Sequence, residues 1–333
     1  MKTVVSHETA LDYWRQVGAL QRPRPAHSRV RTPGSALSRE QARLVCTELA
    51  LSLPLHLLVR EQEKRPRTSS VICHTRKDPL PSGSLACINE SVFVATAECC
   101  FLLEATVLEL PELIDLGCEL CGTYSLSPTP SNRDFDQVPQ TTVSHLESFL
   151  EKAGAVRGVK QARRALRYVA PNSASSMETT LSLLLSLPYL LGGCSLTQPT
   201  FNYRIDPGRI ARRGASQHYY KVDLFWERAR LAVEYDSNLC HTGAERIARD
   251  SRRRDELTGL GITVITVTAR QVFNVREFNK LAHTIAKCLG ERIQPRDPRF
   301  LERQLELRSL LFAKFDGAST EASRAPCSSR ADF

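Results

Sequence analysis

The sequence predicts an α/β protein: a mixed sheet flanked by helices in the C-terminal half, with a smaller N-terminal α/β domain ahead of it. Three observations carry that expectation. A chain of 333 residues exceeds the usual size of a single core, so two units are the default. Residues 175–290 read in the order helix, strand, strand, strand, helix, strand, helix, which puts a small sheet between helices. Within that stretch Asp223, Glu234 and Asp236 fall on adjoining strands and are followed by an arginine-rich helix.

Taken in order, residues 1–37 are polar and rich in Arg and Pro (QRPRPAHSRVRTPGS) and read as a flexible segment, with Trp14 anchoring only a short helix. The N-terminal α/β domain spans 38–128. It opens with a helix and a short strand in SREQARLVCTELALSLPLHLLV, where Ser38 and Gln41 have capping-box spacing. Strand-like runs follow at 70–74, 85–88 and 91–95, and then a helix over about 97–118. Residues 129–174 form a linker and helical bridge. The turn-rich SPTPSNRDFDQVPQT leads into a helical pair over 143–169 that presents Lys160, Arg163, Arg164 and Arg167 on mostly exposed faces. In the core, a leucine-rich helix over 175–191 has Ser175 or Ser176 as its cap and Glu178 in its first turn, where a negative charge is favoured. Strands at 196–205, 219–226 and 230–236, a helix at 243–259, a strand at 262–268 and a helix at 276–289 complete it. Leu257 and Leu260 are placed to seat the arginine-rich helix on the sheet. A C-terminal helix is expected within 291–316, and the tail 317–333 is too poor in apolar residues to pack.

The acids give the chain its chemical character. Strand side chains alternate faces, so Glu234 and Asp236 project to one side. Glu227, Arg228 and Ala229 are few and polar enough for a tight hairpin, which lays Asp223 beside Glu234. Carboxylates this close repel one another unless a cation holds them. The formal net charge of +9 favours an acidic partner, and Arg209, Arg212, Arg213, Arg246, Arg249, Arg252, Arg253 and Arg254 flank the acids in sequence. The bland alternative is a solvated helix face in which these arginines pair with Asp250, Asp255 and Glu256. Glu178 is equally readable as a capping partner of Ser175. No apolar run reaches the length of a bilayer span and the first residues lack a signal peptide's apolar core, so a cytoplasmic protein with no membrane partner is expected. Eleven scattered cysteines then read as free thiols. Cys118 and Cys121 have half of a zinc-site spacing, but Cys99 and Cys100 complete it poorly, so core packing is preferred.

The ordered set Asp223, Glu234, Asp236, His241, Asp250, Arg253 or Arg254, and Gly261 before Ile262–Thr268 resembles the PD-(D/E)XK nuclease superfamily, in the branch around the very-short-patch-repair endonucleases and their DUF559-type relatives. The resemblance covers roughly 172–290 and implies a restriction-endonuclease-like fold. Ser237 stands where those relatives have Gly, and Asp236 stands where the wider superfamily has its lysine. It further implies a Mg²⁺ or Mn²⁺ ion held by Asp223, Glu234 and Asp236, with Glu178 as an added acid on the preceding helix. His241 becomes a general base or leaving-group acid. Lys221, Arg249, Arg253 and Arg254 become contacts to DNA, one of Lys221, Arg253 and Arg254 replacing the motif lysine. The N-terminal half resembles, loosely, AbiEi-type antitoxin regulators. Three functional classes follow: a metal-dependent endodeoxyribonuclease, a DNA-binding regulator on an inactive nuclease fold, and an interaction protein whose acids serve ion pairs. Oligomeric state is left open.

Overall fold

The computed structural model describes residues 2–17, 37–60, 69–126, 137–207, 218–236 and 244–315. Its architecture is mixed α/β, with two mixed sheets and flanking helices, as expected for the fold class. The first sheet contains β1 (Thr3–Val5), β2 (Leu55–Val59), β3 (Val71–Thr75), β4 (Leu85–Cys87) and β5 (Val92–Ala95), in the order β3-β2-β1-β5-β4. Strand β1 is therefore central, parallel to β5 and antiparallel to β2. For residues 2–17 this corrects the expectation of a flexible segment. The β-branched Thr3, Val4 and Val5 are all buried, and α1 (His7–Val17) packs behind them. Trp14 donates its indole N–H to the Ala95 carbonyl at 2.6 Å, and Arg15 bonds Glu119 at 2.8 Å and Asp12 at 3.0 Å. A three-residue strand is too short for hydrophobic periodicity to register. The Arg/Pro-rich run that set the expectation, residues 21–35, lies outside the described residues.

Helix α2 (Arg39–Leu49) starts at the expected capping box, in which Ser38 and Gln41 exchange side-chain and backbone bonds. The single helix expected over 97–118 is instead two, α3 (Ala97–Glu104) and α4 (Leu110–Leu120). Glu109 caps the second and Pro111 sits in its first turn, where a missing N–H costs nothing but a continuous helix is interrupted. The bridge consists of α5 (Val143–Ala153) and α6 (Val159–Leu166). Cys99, Cys100, Cys118 and Cys121 are buried free thiols, and burial pushes Cys99, Cys118 and Cys121 up to about 12, so they behave as packing residues.

The second sheet has the order β6-β7-β8-β9, from β6 (Thr200–Ile205), β7 (Tyr220–Trp226), β8 (Leu231–Asp236) and β9 (Thr263–Thr268). The first two pairings are antiparallel and the last is parallel. Helix α7 (Ser176–Ser186) precedes the sheet, and α8 (Ala244–Gly259) connects β8 to β9. A short α9 (Ala269–Phe273) and the longer α10 (Val275–Leu289) follow. The last helix, α11, is confined to Phe300–Phe312, because Pro295 and Pro298 lie in the approach to it.

One buried cluster runs from Val4 and Leu57 in the first sheet through Leu113, Leu146 and Leu181 to Val233 and Leu311. A smaller cluster, Tyr220, Phe225, Ala232, Leu257 and Ile262, lies between the second sheet and α8. No helix among the described residues is long and apolar enough to cross a membrane. The tail 317–333, His241, and Arg209, Arg212 and Arg213 lie outside the described residues.

Candidate active site

The β7–β8 hairpin positions the acids. Its register pairs Trp226 with Leu231, Phe225 with Ala232 and Leu224 with Val233, which continued one step sets Asp223 opposite Glu234. The turn closes with the Arg230 N–H on the Glu227 carbonyl at 3.1 Å, Arg230 taking a left-handed φ of 48°. Phe225 and Ala232 pack with Leu257 of α8, and Asp223, Glu234 and Asp236 share one cavity with Asp250, Arg253 and Arg254 of that helix, so α8 covers the acids. Apolar residues seat the helix and leave its arginines over the carboxylates. A cavity of about 240 Å³ results, lined by Asp223, Glu234, Asp236, Asp250, Arg253, Arg254 and others.

Within it the Glu234 Oε1 lies 2.7 Å from Arg253 Nη1. That close ion pair partly offsets the cost of burying the Glu234 carboxylate. The other nitrogen, Arg253 Nη2, donates to the Lys221 carbonyl at 2.6 Å. Asp223 Oδ2 accepts from the Tyr235 N–H at 2.8 Å. Arg254 makes a long contact of 3.4 Å to the Thr266 hydroxyl. Burial raises the pKa of Asp223 above the ordinary carboxylate range, against the Tyr235 N–H and the charges of Arg253 and Lys221. Burial likewise raises Glu234, with Arg253 opposing and the Asp223 charge adding. Burial outweighs these stabilising contacts at both acids, although Arg253 directly neutralises Glu234.

Glu178 is near but differently employed. Its carboxylate accepts from the Ala174 N–H at 3.0 Å, the Ser175 hydroxyl at 2.9 Å and Asn202 Nδ2 at 2.8 Å, and it does not line the cavity. The Asp223 charge is the second cause, after burial, of its raised pKa. It is thus both a helix-start partner and an electrostatic neighbour of the site. Asn202 is a residue that sequence reasoning missed. It lies between the β6–β7 pairs Phe201–Leu224 and Tyr203–Val222, next to Asp223, with a φ of 49°, and also bonds the Asn172 carbonyl. An Asn inside a strand run, a residue that tolerates the left-handed region, is the only signal that pointed to it. Arg249 is exposed on α8 and outside the cavity lining.

Among the described residues no group of three or more His, Cys, Asp or Glu side chains is spaced to hold a metal ion. Magnesium is commonly held by one or two carboxylates with substrate phosphate and water completing its shell. Asp223 and Glu234, lining one cavity, fit that smaller donor set once the Arg253 contact is given up.

No family model and no solved structure matches the chain. It is similar to two proteins of Mycobacterium tuberculosis, "Uncharacterized protein MT2308" of strain CDC 1551 / Oshkosh and "Uncharacterized protein Rv2248" of strain ATCC 25618 / H37Rv. Each is 29% identical over 146 residues, which is 44% of this chain and 48% of the relative. The match therefore spans about half the length of these relatives.

Proposed function

We propose that the protein is a metal-dependent endonuclease that hydrolyses DNA phosphodiester bonds in the cavity between β7, β8 and α8. The observation supporting this most directly is the convergence of Asp223, Glu234 and Asp236 with Arg253 and Arg254 in one small polar cavity. Asp223 and Glu234 would hold Mg²⁺ or Mn²⁺, and Asp236 would orient water or hold a second ion. The ion, when bound, lowers the pKa of a water and neutralises charge on the phosphate oxygens. Arg253 neutralises Glu234 in the ion-free protein, and its planar guanidinium suits transfer of that contact to a phosphate. Arg254 lines the cavity, the Lys221 charge acts on Asp223, and Arg249 on the exposed face of α8 would meet the backbone beyond it. Glu178, through Asn202, holds the strand β6 side of the site and keeps Asp223 in a negative environment that favours a cation. His241 would serve as general base or leaving-group acid. The free thiols fit a reducing cytoplasm.

The test is nicking of supercoiled plasmid with Mg²⁺, with Mn²⁺ and with chelator. Asp223→Ala and Glu234→Ala should each reduce metal-dependent nicking about a hundredfold or more. Affinity for DNA should stay equal or rise slightly, since a carboxylate that repels phosphate is gone. Equal nicking by parent and variants rejects the site. A second reading, a DNA-binding regulator or antitoxin-type protein on an inactive nuclease fold, is favoured by the Glu234–Arg253 pair, which already satisfies one acid without a metal. It predicts DNA binding indifferent to divalent ions and no nicking under any condition.

A further inference from the structure

We propose that the α5–α6 hairpin is a second DNA contact, in which Arg157, Lys160, Arg164 and Arg167 grip the phosphate backbone of a duplex. No acidic residue occurs between Ala155 and Pro171. In α6 the buried positions are Val159, Ala162, Ala165 and Leu166, so the remaining face is cationic and uninterrupted. All four cations are exposed. Among the described residues none of the four has an ion-pair or hydrogen-bond partner. Arg163, by contrast, bonds the Leu150 carbonyl at 2.9 Å and belongs to the hairpin's own structure.

The hairpin is rigidly mounted. Gly158 takes a φ of 92°, and a Cβ there would lie 2.8 Å from the Leu102 carbonyl, so the turn can press against α3 only with glycine in place. A groove of about 930 Å³ opens along this corner, lined by Thr106, Val156, Arg157, Lys160 and Arg164 among others. A face needed only for solubility gains from alternating signs, whereas like charges one turn apart destabilise their helix. Lys160 to Arg167 spans seven residues, about 10 Å of helix, which at about 3.4 Å per phosphate along one strand matches roughly three phosphates. The groove's apolar lining comes from small side chains such as Ala105, Ala155 and Val156, with no large exposed apolar side chain among its lining residues to anchor a peptide or a lipid surface.

The contact is separate from hydrolysis, so binding is measured without divalent metal by fluorescence anisotropy of the full chain on a labelled duplex. The variant R157Q/K160Q/R164Q/R167Q should bind about tenfold or more weakly at 0.15 M salt. Its slope of log affinity against log salt should fall by about 3.6, near 0.9 for each of the four lost phosphate contacts. The double variant K160Q/R167Q should show about half that fall, and R276Q/K287Q, on α10, should show none. An unchanged slope, on protein with parental circular dichroism and melting temperature, overturns the proposal. So does an equal fall in the α10 control, which would mark a net-charge effect, or an equal fall on a single strand of the same sequence, which would remove the duplex. A chain that never nicks plasmid would still show the loss, so failure of the proposed hydrolysis and failure of this contact are distinguishable.

Discussion

Glu104 shows at the scale of one residue how burial sets a pH response. It lies on α3, 5% exposed, and its pKa is pushed up to about 7, first by burial and then by the Glu8 charge, with Arg15 opposing. Its folded value exceeds its unfolded one. Its contribution is therefore complete below the unfolded pKa near 4.5 and is lost as pH rises through about 7. The loss above pH 8 is of order 3 kcal/mol. Glu104→Gln keeps the shape without the charge, so it should melt higher than the parent at pH 8 and about equally at pH 4. Parallel melting curves for the two proteins from pH 4 to pH 8 would refute the assignment. At the candidate site the acids Asp223, Glu234 and Asp236 were legible because a period of two and a short turn fix which side chains meet. Asn202 was not, since its part depends on a backbone excursion that residue type alone does not announce. The aim of Arg253 at Glu234 rather than at solvent depended equally on how α8 sits. The helix carries arginines at nearly every angle, and only the packing of Leu257 chooses among them.

Elements with sustained periodicity read well. The strands β7, β8 and β9 and the helices α8 and α10 fall within a residue or two of their expected limits, because each has enough residues to display one buried face. Strand β1 and the break between α3 and α4 did not. The former is too short, and Pro111 is compatible with both a helix start and an expected interruption. For α8 the exposed and the engaged arginines should separate experimentally. Arg249→Gln should lower the salt slope of DNA binding by about one while leaving cleavage per bound complex intact, and an unchanged slope would return Arg249 to a solubilising role. The turn after α7 offers a backbone test. Gly192 has a φ of 86°, and a Cβ there would stand 2.2 Å from the Arg303 carbonyl of α11. Gly192→Ala must then distort both turn and helix contact and should cost about 2 kcal/mol or more in urea unfolding. A loss below about 0.5 kcal/mol would show that the contact yields freely.

Across the whole molecule the two sheets share one buried cluster, and α11 is the element that ties its ends. Buried Arg308 donates to the Val272 carbonyl at 2.6 Å and the Phe273 carbonyl at 2.9 Å, while Lys314, in the 3-10 turn Ala313–Phe315 that follows α11, holds both oxygens of Asp115 on α4 at 2.7 Å. Removing one partner of this part-buried ion pair costs about 1–3 kcal/mol. Lys314→Ala should therefore lower stability of the N-terminal and C-terminal halves together, giving a single earlier calorimetric transition. Two separated transitions would show that the halves melt independently. The same clasp bears on synthesis. Asp115 leaves the ribosome 199 residues before Lys314, which at about 5–20 residues per second is a wait of roughly 10–40 s. During that interval the nascent N-terminal half displays the surface that α11 will cover, so the chain's exposure to chaperones and proteases is set by elongation speed rather than by its own folding rate.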